Sequence, residues 1–481
     1  MKPDLFAALS TPATLLALAP LITLGVGVLA FLLCDVISVL RPARGGAFLL
    51  ALATSAYYEV SILLAAEPPG LVLDGTFMAR RGTALWGLVF LLAALLTWIY
   101  SRTYYRENRP FLAEHDALLL TTPVGMMMMV GANDLVTFFI GLELLSLPLY
   151  ALCAFRRMRA ESVEAGLKYF LLGSFSSALF LFGAALLYMA SGTTGFDVLA
   201  KADLTTPLAL AGLALVTASL FFKVAVFPFQ QWAPDVYQGS PTPVTALMAT
   251  GTKAAAFGFL IAQLTPILPA SGRTLVAVLA LLTMLLGNLG ALAQENLKRM
   301  LAYSSVAHAG TLLLLVAAGM GGHDAYGAQR AALYYLGGYL FTAMGAFGLL
   351  SVLEGDGARY LELDNLRGLA RSRPLAAALL ALFMLSLGGI PATAGFLGKW
   401  FVFSVLVRAD MIFVAVLGAL LSTIALGYYL RVIVVLYMQA PPEDVPAPTA
   451  ARFPTSAATL ACAALVLLMG LAPALFLGLL A

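Results

Sequence analysis

Apolar runs of about twenty residues recur from one end of the chain to the other, and this feature decides the medium in which it folds. A hydrocarbon core about 30 Å thick is crossed by roughly 20 apolar residues in a helix. Fourteen stretches meet that length: 13–40, 47–66, 83–101, 116–132, 134–155, 165–190, 208–231, 243–264, 274–293, 299–319, 331–353, 375–403, 411–438 and 456–480. Barrel strands would alternate over ~10-residue segments, whereas these runs are apolar on both parities. An all-α polytopic membrane protein with about fourteen transmembrane helices is expected. Composition agrees: 62% of the 481 residues are hydrophobic, only 11% are charged, and the mean hydropathy is +0.95. A soluble domain carries about 25% charged residues. The first run has only Lys2 as a basic flank, offset by Asp4, and is too long for a signal-peptide core, so it is expected to be retained.

Several chemistries lack the residues they need. The net charge of +3 comes with no basic block that could follow a nucleic-acid backbone. Cys34, Cys153 and Cys462 are far apart, and His115, His308 and His323 are dispersed, so no ligand set for zinc, haem or an iron–sulfur cluster is in view. No GxGxxG or GxxxxGK[ST] loop offers a nucleotide site. No cofactor or metal is expected in this chain, and no nucleic acid among its partners. Loops after odd-numbered spans hold about twice as many Lys and Arg residues as the opposite loops, which carry Lys2, Arg80, Arg81, Lys201, Arg273, Arg330 and Arg408. Both termini are therefore expected on the outer (periplasmic) side of a cell inner membrane.

The basic residues left over lie inside apolar runs. Lys168 and Arg431 are near span ends, where their heads can snorkel. Lys223, Lys253 and Lys399 are deeper, as are Glu143 and His308. A charge at mid-membrane costs at least ~2.5–3.5 kcal/mol and marks ion or proton paths. One such residue could be a packing device; five in one chain make a path the better reading. Asp35 and Glu59 lie off this pattern and read as local pairs or subunit contacts. Pro228 breaks the seventh run beside Lys223, and Gly388, Gly389 and Pro391 break the twelfth ahead of Lys399. Two interrupted helices in corresponding positions point to inverted repeats with a path at the midplane. The expected organisation is a single membrane domain: three N-terminal helices (1–112), two inverted five-helix repeats (113–266 and 270–438), each with a broken helix, then a linker and C-terminal helix (439–481). Met126 to Met129 read as a packing face, 354–374 as a charged loop and 441–454 as a plain linker.

Phe222-Lys223 through Phe227-Pro228-Phe229, Trp232-Ala233-Pro234-Asp235-Val236-Tyr237 and Pro241-Thr242-Pro243-Val244-Thr245 resemble the seventh-to-eighth-helix signature of the antiporter-like subunits of respiratory complex I. So do Gly141-Leu142-Glu143-Leu144, the segment Asn296 to Ser305 followed by His308, and Gly388-Gly389-Ile390-Pro391 through Gly395-Phe396 with Lys399. The resemblance covers most of the chain. Asp235-Val236-Tyr237 and a lysine at 253, together with an end at Ala481 that leaves no room for a long lateral helix, are most similar to the subunit N family of NADH–quinone oxidoreductase.

The resemblance implies proton translocation driven by quinone reduction elsewhere in a complex, with NADH, FMN, iron–sulfur clusters and quinone held by other subunits. It implies an input pair Glu143 and Lys223, a connecting site Lys253, an output site Lys399, and His308 with the serines near it on the polar axis between the halves. A sister antiporter-like subunit and small membrane subunits are the implied partners. Moving one charge against ~150 mV costs about 3.5 kcal/mol, equivalent to a pKa swing of about 2.5, which burial and neighbouring charges supply. Alternatives are a subunit of a multisubunit cation/proton antiporter, a related hydrogenase or plastoquinone-linked complex, or a non-pumping membrane scaffold.

Overall fold

The computed structural model describes residues 11–105, 112–322, 324–355, 361–441 and 453–478. His323, and with it most of the 441–454 linker, lies outside the described residues. In chain order the helices are α1 (Pro12–Val36), α2 (Arg44–Leu64), α3 (Arg81–Tyr104), α4 (Leu112–Gly131), α5 (Leu135–Cys153), α6 (Ala160–Ser191), α7 (Pro207–Val224) and α8 (Trp232–Gly239). There follow α9 (Thr242–Leu264), α10 (Arg273–Leu292), α11 (Leu297–Gly319), α12 (Ala325–Gly355), α13 (Pro374–Gly388), α14 (Ala394–Arg408), α15 (Ile412–Met438) and α16 (Phe453–Leu471). Among the described residues, 11 helices are long and apolar enough to cross a membrane, and α13 and α16 are shorter apolar helices. The sole sheet among the described residues is a hairpin between α2 and α3, β1 (Gly70–Val72) against β2 (Phe77–Ala79). Nothing in the hydropathy pattern announced that hairpin, because six residues within a connection are too few to show alternation.

The helices begin where short polar side chains can cap them. Thr11 accepts from the Thr14 amide at the start of α1, Asp134 from Val136 and Thr137 at α5, Thr206 from Ala209 at α7, and Asn296 from Arg299 at α11. Each satisfies an amide that has no partner within the helix. Burial then sorts the bundle. The most apolar window of α9 is 100% buried, those of α11 and α12 are 94% and 83%, whereas α1 and α6 are only 28% buried. The first three form the centre, and the last two leave apolar side chains exposed on the outside of the bundle. Close crossings use small residues, as membrane helices require: a Cβ on Gly212 of α7 would lie 2.9 Å from the Gly183 carbonyl of α6.

Two of these helices are interrupted at depth. The α7 helix stops at Val224, where Ala225 turns left-handed at φ 59°, and the chain resumes as α8 at Trp232. The interruption thus starts three residues before Pro228. The indole of Trp232 donates to the Phe222 carbonyl at 3.0 Å, and the Phe227 amide donates to Thr283 Oγ1 of α10 at 3.0 Å, so the loosened backbone keeps partners. Likewise α13 stops at Gly388, Gly389 turns left-handed at φ 86°, and α14 restarts at Ala394. The central α9 is continuous but not uniform: Met248–Thr252 and Leu260–Leu264 are π-helical and bracket the α-helical turns Lys253–Phe259. There the hydroxyls of Thr250, Thr252 and Thr265 donate to the carbonyls of Ala246, Met248 and Leu260 at 2.7, 2.6 and 2.8 Å.

Candidate functional site

Lys223, the penultimate residue of α7, is buried beside the first break. Its ammonium donates to Ser146 Oγ of α5 at 2.7 Å and to the Tyr169 hydroxyl of α6 at 3.1 Å. Glu143 is on α5 one turn before Ser146, half-buried, and accepts from Ser177 Oγ of α6. No ion pair joins Glu143 to Lys223 among the described residues; Ser146, three residues on from Glu143, donates to the Leu142 carbonyl and accepts from Lys223.

Lys253 lies at the first residue after a π-helical turn and is 2% exposed. It donates to both the carbonyl and the hydroxyl of Ser305 on α11, the latter at 2.5 Å. The adjacent Ser304 bonds the Tyr429 hydroxyl of α15. That hydroxyl lies 3.3 Å from His308 Nε2, and His308 Nδ1 lies 2.6 Å from the Tyr335 hydroxyl of α12. His308 lines two small cavities of about 10 Å³ each, on the scale of one water molecule. Lys399 opens onto the first of them. From α14 its ammonium reaches across the second break to the carbonyls of Leu387 and Gly388, at 3.0 and 2.9 Å. Those carbonyls end α13 and have no amide ahead of them in the helix. Gly389 is needed here twice over: its φ suits glycine, and a Cβ would sit 3.0 Å from Lys399 Cδ.

The expected site residues thus fall into two groups. Lys253, His308 and Lys399 are joined by Ser304, Ser305, Tyr429 and a shared cavity, whereas Glu143 and Lys223 form a separate cluster with Ser146, Ser177 and Tyr169. Of the hydroxyl partners, the sequence pointed only to the serines beside His308; Ser146, Ser177, Tyr169, Tyr335 and Tyr429 were missed. Tyrosine and serine are ordinary in membrane helices, and only packing between helices shows which of them face an ammonium.

A further polar centre was misassigned. Lys298, which falls between the expected spans 274–293 and 299–319 and so reads as a loop residue, is fully buried in the first turn of α11 and pairs with Glu354 Oε2 of α12 at 3.3 Å. Glu354 also accepts from Tyr104 at 2.6 Å, from Arg156 at 3.1 Å and from Thr242. Basic residues close to a span end look like loop residues when the acidic partner is 56 positions away. Arg156, in the connection after α5, has its pKa raised: burial works against the charge, but Tyr104 and Glu354 outweigh it. Lys168 pairs with Glu164 at 2.7 Å and Asp235 at 3.1 Å, and Asp35 pairs with Arg44 at 2.5 Å. Glu59 is buried in α2, lying directly over Gly87 of α3.

Asp235, in α8 outside the membrane-spanning segments, also binds Arg299 at 2.8 Å. Burial alone would raise its pKa, but the hydrogen bonds from Arg299 and Lys168 prevail and hold it below the usual carboxylate value. Its folded pKa lies below the unfolded one, so the stabilisation is complete above the unfolded value and fades as pH falls through the folded one. Asp235→Asn is expected to lower the melting temperature slightly at neutral pH, since the carboxylate is 40% exposed. Parent and variant should converge in acid; thermal melts across pH check this, and a constant difference at every pH contradicts it.

Comparison with known proteins agrees with this geometry. Residues 132–425 match the family described as NADH:quinone oxidoreductase/Mrp antiporter, transmembrane, a span that includes both interrupted helices. The chain is 42% identical to NADH-quinone oxidoreductase subunit N of Salinibacter ruber over 93% of this chain and 91% of that protein. It is 35% identical to a chain of respiratory complex I from Thermus thermophilus, solved with bound aureothin, with a TM-score of 0.80 and coverage of 96% and 99%. A chain of the Mrp complex from Dietzia shares the fold, with a TM-score of 0.81 at 22% identity and coverage of 98% and 96%. The chain therefore belongs to the NADH:quinone oxidoreductase/Mrp antiporter family and, within it, to the subunit N family of NADH–quinone oxidoreductase.

Proposed function

We propose that this chain is a proton-translocating membrane subunit of NADH–quinone oxidoreductase, moving protons along its buried polar residues while other subunits reduce quinone. One observation carries the reading. Lys223, Lys253 and Lys399 are buried in the bundle, yet each is bonded to hydroxyls or carbonyls and not to a carboxylate. A lysine held by neutral acceptors can give up its proton without stranding a buried anion. Lys298 is the internal contrast: it is equally buried but paired with Glu354, and that pairing suits a fixed charge.

In this reading Glu143 and Lys223 form the input cluster and Lys253 passes charge toward His308, with Lys399 as the output. The interrupted α7–α8 and α13–α14 are the counterparts in two inverted five-helix repeats, 113–266 and 270–438, within fourteen spans. NADH, FMN, iron–sulfur clusters and quinone belong to other subunits, and a sister antiporter-like subunit and small membrane subunits adjoin this one in the inner membrane.

The decisive comparison is between two alanine variants scored in membranes for intact complex, turnover and pumping. Lys298→Ala leaves Glu354 with one partner fewer in a buried site and is expected to reduce assembly. Lys223→Ala is expected to assemble but to pump poorly. Loss of assembly by Lys223→Ala, with normal pumping by whatever complex remains, would support a scaffold instead.

Orientation has its own test. A cysteine at Arg371, in an otherwise cysteine-free chain, is expected to react with an impermeant maleimide from the cytoplasmic side alone. Labelling from outside intact cells reverses the topology.

A further inference from the structure

At the end of the bundle that carries the β1–β2 hairpin, α3, α9 and α12 enclose a groove of about 340 Å³. Its rim holds Arg80, Arg81 and Arg330. Among the described residues none of these forms an ion pair: Arg81 donates to the Ala65 carbonyl at 3.2 Å, and the Arg330 guanidinium lies over the Tyr326 ring at 5.5 Å. Other basic residues near this end are taken up locally, Arg408 by Asp324 at 2.9 Å and Arg273 by the carbonyls of Ala317 and Ala409. Among the described residues no carboxylate lines the groove. Below the rim the wall becomes apolar, through Trp86, Val130, Ile261 and Leu333.

We propose that this groove binds one anionic phospholipid, its phosphate on the three arginines and an acyl chain along the apolar wall. The charge pattern selects that occupant. Three guanidinium groups with no carboxylate among the lining residues call for an anion, and guanidinium forks match phosphate oxygens. Helix ends place the arginines at headgroup depth, and Trp86 and Tyr326 occupy the level where amphipathic rings gather. Inorganic phosphate would leave the apolar wall uncovered. A zwitterionic lipid would bring a second cation toward the arginines. The bound lipid would join α3, from the N-terminal helices, to α9 and α12 at the bundle centre, against the π-helical turn Leu260–Leu264.

The test uses the assembled complex in detergent, with phosphatidylglycerol carrying a photoactivatable acyl chain and the matching phosphatidylcholine as probes. Peptides containing Trp86, Val130, Ile261 or Leu333 are expected to be labelled by the anionic probe. Unlabelled phosphatidylglycerol should compete, while equal inorganic phosphate and phosphatidylcholine should not. An arginine beside an anionic headgroup is worth about fivefold in binding. The combined change Arg80→Gln, Arg81→Gln and Arg330→Gln should therefore cut labelling by at least about tenfold. If that variant fails to assemble, Arg330→Gln alone should cut it about fivefold. The comparison of the two probes on the unmodified complex needs no variant. Equal labelling by both lipids overturns the proposal, as does competition by phosphate alone. Labelling indifferent to the arginines, or a neighbouring polypeptide in place of lipid when Gln329→Cys is cross-linked, overturns it equally.

Discussion

Lys399→Ala is expected to lower proton pumping and quinone reductase turnover together, by at least about tenfold, since a positioned proton-transfer group commonly contributes 10²–10⁴-fold. The two rates should fall in proportion, because a stalled output halts a coupled machine. The geometry adds a control. Lys399 is the group that satisfies the Leu387 and Gly388 carbonyls at the end of α13, so alanine removes both the proposed proton carrier and a helix cap. Arginine restores donors and positive charge but does not release its proton in a protein. Lys399→Arg should recover assembly and thermal stability while pumping stays low. Full pumping by the arginine variant would make Lys399 a fixed charge.

The second large effect is expected at Glu143 and Lys223. Glu143→Gln keeps size and polarity but removes the carboxylate one turn from Ser146, the hydroxyl that Lys223 binds. Pumping should fall well before the amount of intact complex does, and Glu143→Asp should lie between. If the two residues act as one switch, Glu143→Gln with Lys223→Gln costs far less than the sum of the single changes. Because Ser146 holds the Lys223 ammonium from one turn beyond Glu143, Ser146→Ala should weaken that coupling without removing either charge. Membranes carrying each variant would be scored for turnover, pumping and intact complex. Strict additivity, with assembly preserved throughout, means that the residues act independently.

How far the sequence reveals these sites depends on how sharply a residue contrasts with its surroundings. Lys253 and Lys399 stand out because a charge within an apolar run is costly, and Gly388-Gly389-Ile390-Pro391 stands out because it forbids a continuous helix. Their acceptors have no such contrast. Tyr335 and Tyr429 look like any other membrane-helix residues until α11, α12 and α15 pack together. Lys298 failed in the opposite way: its charge was visible, but a span end is where a solvated lysine is also expected, and only the distant Glu354 shows it to be buried. The start of the first interruption was hidden as well, since Ala225 adopts a left-handed backbone that its side chain does not advertise.

The two π-helical stretches of α9 have a bearing on how this helix would tolerate an insertion. A turn closed by i→i+5 bonds takes in one more residue than an α-helical turn, and it does so locally, leaving the helix on either side in its original register. Elsewhere in α9 a single added residue would rotate everything beyond it by about 100°. That rotation would carry Lys253 away from Ser305. A residue inserted in Thr242–Leu247, ahead of the lysine, is therefore expected to break the Lys253–Ser305 contact unless a π-helical turn absorbs it.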